Sequence, residues 1–364
     1  YKGGLRFHPS VTPEILKFLA FEQIFKNSLT GLPIGGAKGG SDFDPKGKSD
    51  YEIMNFCRAF MRELHQYIGA RIDVPAGDIG VGSREIGFLY GEYKRITRNY
   101  DGVLSGKPHT FGGSLLRPEA TGYGVVYFAR EMLLQELNET LEGKICCVSG
   151  SGNVALHTIQ KLQQLGAIVI TCSDSNGTIY DPTGLNFETL VQLKGEGKRE
   201  SLKTYALHHS SSTYIHRDEY PDNSHPVWSF PCFAAFPCAT QNELNFIDAQ
   251  RLINNGCVAV IEGANMPSTP EAIELLHSNN ILFAPGKASN AGGVAVSEFE
   301  MSQNASMENW DIHKVDKKLD DLMKDIYHRI SKTAHEHGRG KNFVDGANIA
   351  AFKRVADAMI LEGI

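Results

Sequence analysis

The chain has 364 residues, with 36 basic against 42 acidic side chains, a net charge of −6 and 41% apolar residues. That length and apolar content suffice for two folded domains; they exclude a disordered chain, a disulfide miniprotein and a collagen-like fibre. The slight acidity argues against nucleic acid or anionic membrane as a partner, and no apolar run approaches the roughly 18–20 residues of a membrane helix.

In chain order, the first segment opens at Tyr1 without a methionine, inside a glycine motif, and reads as the remainder of a longer protein. Residues 12–29 predict a helix, with Thr12 as N-cap, Pro13 at the first turn and Gly31 past the end. Ile15, Leu16, Phe18, Leu19, Ile24 and Phe25 make it apolar nearly all round, which predicts burial. A loop, Leu32–Ser41, places four glycines around Lys38. The box Ser49-x-x-Glu52 opens a second helix over 50–68. After the turn-rich stretch Asp73–Gly80, helices are expected over 83–96 and 118–135.

From Gly143 the texture changes. Apolar runs at 145–149, 167–172, 233–236, 257–261 and 281–284 alternate with helical stretches, the pattern of a doubly wound parallel sheet. Residues 200–230 are polar and predict an exposed excursion. Beyond 297 the chain turns helical. Val315, Leu319, Leu322, Met323, Ile326 and Ile330 mark one face of a long helix, and Ile349, Phe352, Val355 and Met359 mark a last helix over 346–361. The seven cysteines show no C-x-x-C spacing and lie mostly in apolar runs, as buried reduced thiols of a cytosolic protein do. The 13 histidines form no H-E-x-x-H, so no metal site is expected.

The sharpest motif is Gly150-Ser-Gly-Asn-Val-Ala155, which follows one apolar run and opens the helix 153–165. This is G-x-G-x-x-A where a dinucleotide fold needs it. Gly150 permits the turn, Gly152 lets backbone approach a pyrophosphate, Ala155 allows close packing, and the helix N-terminus offers N–H groups. Ser151, Asn153 and Val154 complete that loop. Asp174 ends the next run, 24 residues after Gly150, where an acid usually holds the ribose of NAD. Ser175, Lys194, Lys198 and Arg199 follow and could instead meet the 2′-phosphate of NADP; as ordinary solvated charges they would meet nothing. We read NADP, with NAD as the alternative.

Three lysines keep odd company: Lys2 before two glycines, Lys26 on an apolar helix, and Lys38 within its glycine ring. If they converge, repulsion should depress at least one ammonium and fit it for acid–base work. Alternatively Lys26 is a helix-terminal cation and Lys38 a loop charge, and spacing alone does not separate the two. Asp73 and Asp78 are candidate partner acids, equally indistinct by spacing.

Long ordered motifs then coincide with a known family. They are Tyr1–Ser10, Leu32–Ser41, Asp73–Gly82, Gly112–Gly124, Val148–Ala155, Pro237–Glu243, Glu262–Pro267 and Ala284–Val294. Over essentially its whole length the chain resembles the hexameric NADP-type glutamate dehydrogenases of the Glu/Leu/Phe/Val dehydrogenase family. The resemblance implies an α/β architecture, with a substrate-binding α/β domain and a Rossmann-like doubly wound dinucleotide domain. The first would be about 1–117 completed by the C-terminal helix 340–364, the second about 118–300, and 301–339 a pivot helix. It implies reversible conversion of L-glutamate to 2-oxoglutarate and ammonium, with a cleft that closes before hydride transfer. By resemblance Lys38 and Asp78 are catalytic, Gln23 and Lys26 hold the α-carboxylate, Lys2 and Ser297 the γ-carboxylate, and Gly77 gives a backbone contact. Thr121, Asn153 and Asn265 contact the cofactor, while Ala239, Thr240 and Asn290 line its nicotinamide side. It also implies a homohexamer in the cytoplasm, an organellar precursor being the alternative, and no metal, nucleic acid or membrane partner. The rival readings are an NAD-linked or dual-specificity glutamate dehydrogenase and a dinucleotide-binding relative without turnover.

Overall fold

The computed structural model describes residues 1–195, 198, 200–221 and 223–364. The first half of the chain runs β1 (Lys2–Phe7), α1 (Pro13–Thr30), β2 (Gly39–Ser41), α2 (Asp50–Leu64), β3 (Val74–Ala76), α3 (Ser83–Thr97), α4 (Ala120–Leu137), β4 (Ile145–Val148) and α5 (Asn153–Gln164). It continues with β5 (Ile168–Asp174), β6 (Gly177–Tyr180), α6 (Phe187–Lys194), α7 (Lys203–His208), β7 (Thr213–His216), β8 (Ala234–Phe236), α8 (Phe246–Asn254) and β9 (Ala259–Ile261). The last elements are α9 (Pro270–Ser278), β10 (Leu282–Ala284), α10 (Gly286–Ser289), α11 (Gly292–Ser306), α12 (Ile312–Glu336) and α13 (Phe343–Glu362). Two compact units result. The first comprises Tyr1–Arg117, Gly293–Leu322 and Ala351–Ile364, the second Pro118–Gly292 and Met323–Ala350.

In the first unit a parallel sheet has the order β2-β1-β3, pairing Leu5 with Gly39 and Lys2 with Val74. Strands β1 and β2 escape the sequence reading because glycine runs carry no hydrophobic period, and β3, Val74-Pro-Ala76, is too short to show one. The glycines are what the sheet requires: a Cβ on Gly3 would lie 1.6 Å from the Ala37 carbonyl oxygen. The core packs Leu5 and Phe7 against Ile53, Cys57, Met61, Ile86 and Leu89, and the Phe43 and Phe56 rings stack at 3.8 Å. Helix α2 starts on the expected capping box, in which Glu52 N–H donates to Ser49 Oγ and Ser49 N–H to Glu52 Oε2. Ser49→Ala should therefore cost about 1 kcal/mol and lower the melting temperature by a few degrees, read by thermal denaturation.

Helix α1 has its predicted Thr12 cap, but the burial expected for it is not found. Only Asn27–Thr30 are buried, and Phe18 and Phe21 are 48% and 53% exposed. A helix apolar on every side still turns one side outward when a single sheet covers it.

In the second unit seven strands run β10-β9-β8-β4-β5-β6-β7, the first five parallel and the last two joined antiparallel. The segment 200–230 is not the exposed excursion its polarity suggested. It supplies edge strand β7 and fully buries Tyr205, Val227 and Trp228. Polar residues fit there because an edge strand faces water. Val315, Leu319, Met323, Ile326 and Ile330 of α12 are buried as predicted. Helix α13 departs from expectation: Phe343, Gly346, Ala347, Ala350 and Ala351 face inward while Phe352 and Met359 are exposed. Small residues win because the helices pack closely; a Cβ on Gly346 would lie 2.4 Å from the Ile330 oxygen. All seven cysteines are buried and unpaired. No helix among the described residues is long and apolar enough to cross a membrane.

Candidate active site

Strand alternation places Lys2, Gly4 and Arg6 on one side of β1. Lys2 is 1% exposed, and its backbone is locked on both sides: its N–H donates to Gly35 O at 3.1 Å and its carbonyl accepts from Ala37 N at 3.1 Å. From α1, Asn27 Nδ2 donates to Lys2 O at 3.0 Å and to Gly35 O at 2.7 Å, and Gln23 Nε2 donates to Asn27 Oδ1 at 2.7 Å. Gln23 is thereby tied to the same loop, with half-buried Lys26 on its turn of helix.

The tight turn Asp78–Val81 closes with hydrogen bonds in both directions, of 3.1 and 2.9 Å. Gly80 sits there at φ +76, with no room for a side chain beside Phe7 O. The turn aims Asp78 at two cations: Lys38 Nζ donates to Oδ1 at 2.9 Å and Arg6 Nε to Oδ2 at 2.6 Å. A Cβ on Gly4 would lie 2.8 Å from the Asp78 Cβ, 2.9 Å from Gly77 O and 3.2 Å from Lys38 Nζ. That glycine lets Lys38, Gly77 and Asp78 share one small space. Asp73 is elsewhere, half-buried just before β3.

Burial pushes the Asp78 carboxyl up, but the Lys38 charge and the Arg6 hydrogen bond outweigh it and hold the group below its usual range. It is ionised at neutral pH. The lysine whose ammonium is pulled well down is Lys2, and the main cause is burial, with Arg117, Lys107 and Lys38 adding to it and Glu300 opposing. Mutual lysine repulsion, the expected cause, is secondary. Ser297, on α11, is 1% exposed; its hydroxyl donates to Gly293 O at 3.0 Å and accepts from Arg117 Nε at 2.9 Å.

In the second unit, β4 feeds the fingerprint loop into α5. Gly150 adopts φ +82, and its N–H donates to Ser173 Oγ at 2.8 Å. Nothing stands within 4 Å of where a Cβ on Gly152 would be, so a ligand can touch the backbone there, whereas Ala155 is fully buried against the sheet. Ser151 in the loop and Val154 in the first turn of α5 are half-buried, and Asn153 Nδ2 donates to Pro118 O at 2.6 Å. Thr121 lies on α4 beside Gly122, whose Cβ position is 2.6 Å from Thr158 N of α5. Ala239, Thr240 and Asn265 are exposed loop residues at the ends of β8 and β9. Asn290 Nδ2 donates to Gly263 O, Ala264 O and Asn265 Oδ1 at 3.0–3.2 Å, while its buried Oδ1 has no partner among the described residues. That acceptor suits a carboxamide N–H, so the loop fits a dinucleotide.

Asp174 is saturated. Its Oδ1 accepts from Asn176 N and Gly177 N at 2.8 and 3.1 Å, and its Oδ2 from Lys194 Nζ and Leu202 N at 2.6 and 3.3 Å. Ser175 is exposed next to it, and its carbonyl accepts from Arg217 at 3.4 Å. Lys198 is exposed, and Arg199 lies outside the described residues.

The profile of the Glutamate/Leucine/Phenylalanine/Valine dehydrogenase family matches residues 112–363, and that of the family's dimerisation domain matches residues 1–95. The chain belongs to the Glu/Leu/Phe/Val dehydrogenase family. It is 59% identical to an NADP-specific glutamate dehydrogenase of Helicobacter pylori, the alignment covering 100% of this chain and 81% of that one. It is 55% identical to an NAD(P)-specific glutamate dehydrogenase of Xylanibacter ruminicola, of which 80% is covered. Among solved structures it superposes on a glutamate dehydrogenase of Plasmodium falciparum with a TM-score of 0.95 at 53% identity, covering 100% of this chain and 77% of that one. A hetero-hexameric glutamate dehydrogenase of Thermus thermophilus gives 0.86 at 26% identity, with 100% and 82% covered.

For this family member, sequence reasoning missed Arg6, Arg117, Lys107 and Glu300. The alternation Lys2-x-Gly4-x-Arg6 was a usable signal for Arg6, had β1 been recognised as a strand. It also missed Glu243, which burial pushes up to about 7 and whose Oε2 has no partner among the described residues. A carboxyl raised in the folded state loses stability as pH rises from its ordinary value through about 7. Glu243→Gln should accordingly raise the melting temperature at pH 8 and change it little at pH 4, in parallel thermal scans.

Proposed function

We propose that this chain catalyses the reversible NADP-dependent oxidative deamination of L-glutamate to 2-oxoglutarate and ammonium. The observation that carries the reading within the family is the buried Lys2 ammonium. Facing an aliphatic or aromatic substrate side chain, it would be an uncompensated buried charge; facing a second carboxylate, it is a partner. Ser297 serves the same γ-carboxylate, and the buried Ser105 hydroxyl, without a partner among the described residues, offers a further donor. Lys26 and Gln23 hold the α-carboxylate, and the Gly77 carbonyl faces the reacting end.

The chemistry that NADP supplies when bound is hydride acceptance from the substrate Cα and donation back in reverse. Lys38 donates to the substrate oxygen, stabilising the negative charge that develops there when the carbonyl is attacked, and orients the water that attacks the imine carbon. Asp78, kept ionised, takes a proton from the substrate ammonium and returns one in the amination direction. Arg6 holds its other oxygen and so fixes the aim.

On this reading the unit containing Tyr1–Arg117 binds substrate and the unit containing Pro118–Gly292 binds NADP. Gly150, Ser151, Gly152, Asn153 and Val154 cradle the pyrophosphate, Thr121, Ala239, Thr240, Asn265 and Asn290 the nicotinamide side. Saturated and neutralised by Lys194, Asp174 neither accepts a ribose hydroxyl nor repels a 2′-phosphate, which Ser175 and Lys194 can then meet. Comparing kcat/KM for NADP and NAD with glutamate is the test: NADP is expected to be preferred, and a preference for NAD beyond about tenfold would overturn the cofactor reading. Lys194→Ala should narrow the preference by about tenfold, the ~1.4 kcal/mol of one charge-assisted contact. The outward Phe18 and Phe21 and the matched dimerisation domain support a homohexamer, which light scattering on the purified protein would measure. The buried, unpaired cysteines support the cytoplasm as its compartment.

A further inference from the structure

Helix α1 meets the glycine loop at Gln23 and Asn27, one turn apart. Its backbone lies directly on the loop: a Cβ on Gly36 would be 2.7 Å from the Gln23 carbonyl carbon and 2.4 Å from Ile24 N. Asn27 is 0% exposed, and both ends of its amide are engaged. Its Nδ2 donates to Lys2 O at 3.0 Å and to Gly35 O at 2.7 Å, and its Oδ1 accepts from Gln23 Nε2 at 2.7 Å. Both Nδ2 partners are carbonyl oxygens, which only accept, so the direction of this amide is fixed. Its oxygen is therefore the atom that faces Gln23, and Gln23 can meet it only with an N–H. Neither backbone carbonyl depends on Asn27 alone, since Lys2 O also accepts from Ala37 N and Gly35 O from Lys2 N, both at 3.1 Å. The amide does more than satisfy buried backbone groups.

Direction matters at Gln23 because a primary amide has a donating end and an accepting end of nearly the same shape. A substrate carboxylate only accepts. Turned one way, Gln23 offers it an N–H; turned the other way, it sets Oε1 against a carboxylate oxygen, which repels. With one Nε2 hydrogen spent on Asn27, that end of the amide is held and its second hydrogen stays with it. We infer that Asn27 is a positioning residue for substrate binding: it locks the Gln23 amide so that Gln23 presents a donor, not an acceptor, to the α-carboxylate. The backbones of Lys2 and Gly35 are the reference to which the lock is set. The α-carboxylate end of the site is thereby aligned on the strand that carries Lys2.

The inference rests on the role given to Gln23 in the glutamate reading above, and one double-mutant cycle separates the two. KM and kcat are measured for wild type, Asn27→Leu, Gln23→Leu and the double variant. The substrates are L-glutamate and L-norvaline, the same five-carbon chain without the γ-carboxylate. Gln23→Leu should raise the glutamate KM about tenfold or more, the loss of one hydrogen bond to a charged group. Asn27→Leu should raise it about three- to tenfold with kcat within about threefold, since the substrate must then order a loose glutamine. In the double variant KM should stay within about twofold of that of Gln23→Leu, because nothing is left for Asn27 to orient. Norvaline kcat/KM should fall in Asn27→Leu by the same factor as that of glutamate, because both substrates carry the α-carboxylate. Losses that multiply in the cycle, or a KM unmoved by Gln23→Leu, would refute the inference. So would a loss confined to glutamate, which traces the damage to Lys2. If Asn27→Leu does not fold, Asn27→Ser, whose shorter side chain gives up the contact with Gln23, carries the same cycle. Failure of both variants to fold would make Asn27 a structural tie and overturn the inference too. A wild type that does not oxidise glutamate would instead sink the proposed function.

Discussion

Lys38→Ala is expected to lower kcat by about 10²–10⁴-fold, the usual contribution of a positioned acid–base group, while NADP affinity changes by no more than about twofold. The separation follows from the fold. Lys38 sits in the first unit with an 8% exposed side chain on Asp78, whereas the fingerprint loop belongs to the second. Loss of Lys38 also leaves Asp78 with Arg6 alone, so its carboxylate rises toward its ordinary range and becomes misaimed as well as less acidic. Single-turnover kinetics with a parallel NADP fluorescence titration would measure both quantities. Wild-type kcat in the variant would refute the assignment of Lys38; equal loss of NADP binding would show that the damage was to folding. Lys38→Arg should not rescue, since a planar guanidinium cannot replace a point charge against one carboxylate oxygen.

The second large effect is expected at Lys2. Lys2→Met should lower kcat/KM for glutamate by about 30- to 4,000-fold, the 2–5 kcal/mol that removing one partner of a buried charge pair costs. Norvaline should move the other way, because the variant no longer obliges an apolar side chain to face an ammonium. Crossing substrate preferences therefore distinguish a specificity residue from a general structural one. Should both substrates fall together, Lys2 would be a fold determinant only. The folded state is not expected to suffer: burial already pulls this ammonium well down, so an unbranched apolar replacement removes an unfavourable desolvation.

Much of the second unit was legible in the sequence because buried parallel strands write themselves as apolar runs. Ile145–Val148, Ile168–Asp174, Ala234–Phe236, Ala259–Ile261 and Leu282–Ala284 are all strands where such runs predicted them, and Gly150–Ala155 joins β4 to α5. The antiparallel addition of β6 and β7 was not legible, since edge strands carry polar residues freely. In the first unit the sheet was hidden for a different reason: Gly3, Gly4, Gly39 and Gly40 make strands through backbone approach, which leaves no side-chain period to read.

By itself the sequence determined the chemical inventory of this protein. It held a lysine within four glycines, an acid in a tight turn, a dinucleotide loop before a helix, and motifs dense enough to place the chain in its family. Only the tertiary structure decided which charges meet. It chose Asp78 over Asp73 as the partner of Lys38, put Arg6 on the other oxygen, and buried Lys2 among Arg117, Lys107 and Glu300. It also paired Asp174, the expected ribose acceptor, with Lys194. These pairings depend on distances between residues as far apart in the chain as Arg6 and Asp78. Coulomb and desolvation energies are set by such distances and by burial, neither of which a linear sequence contains.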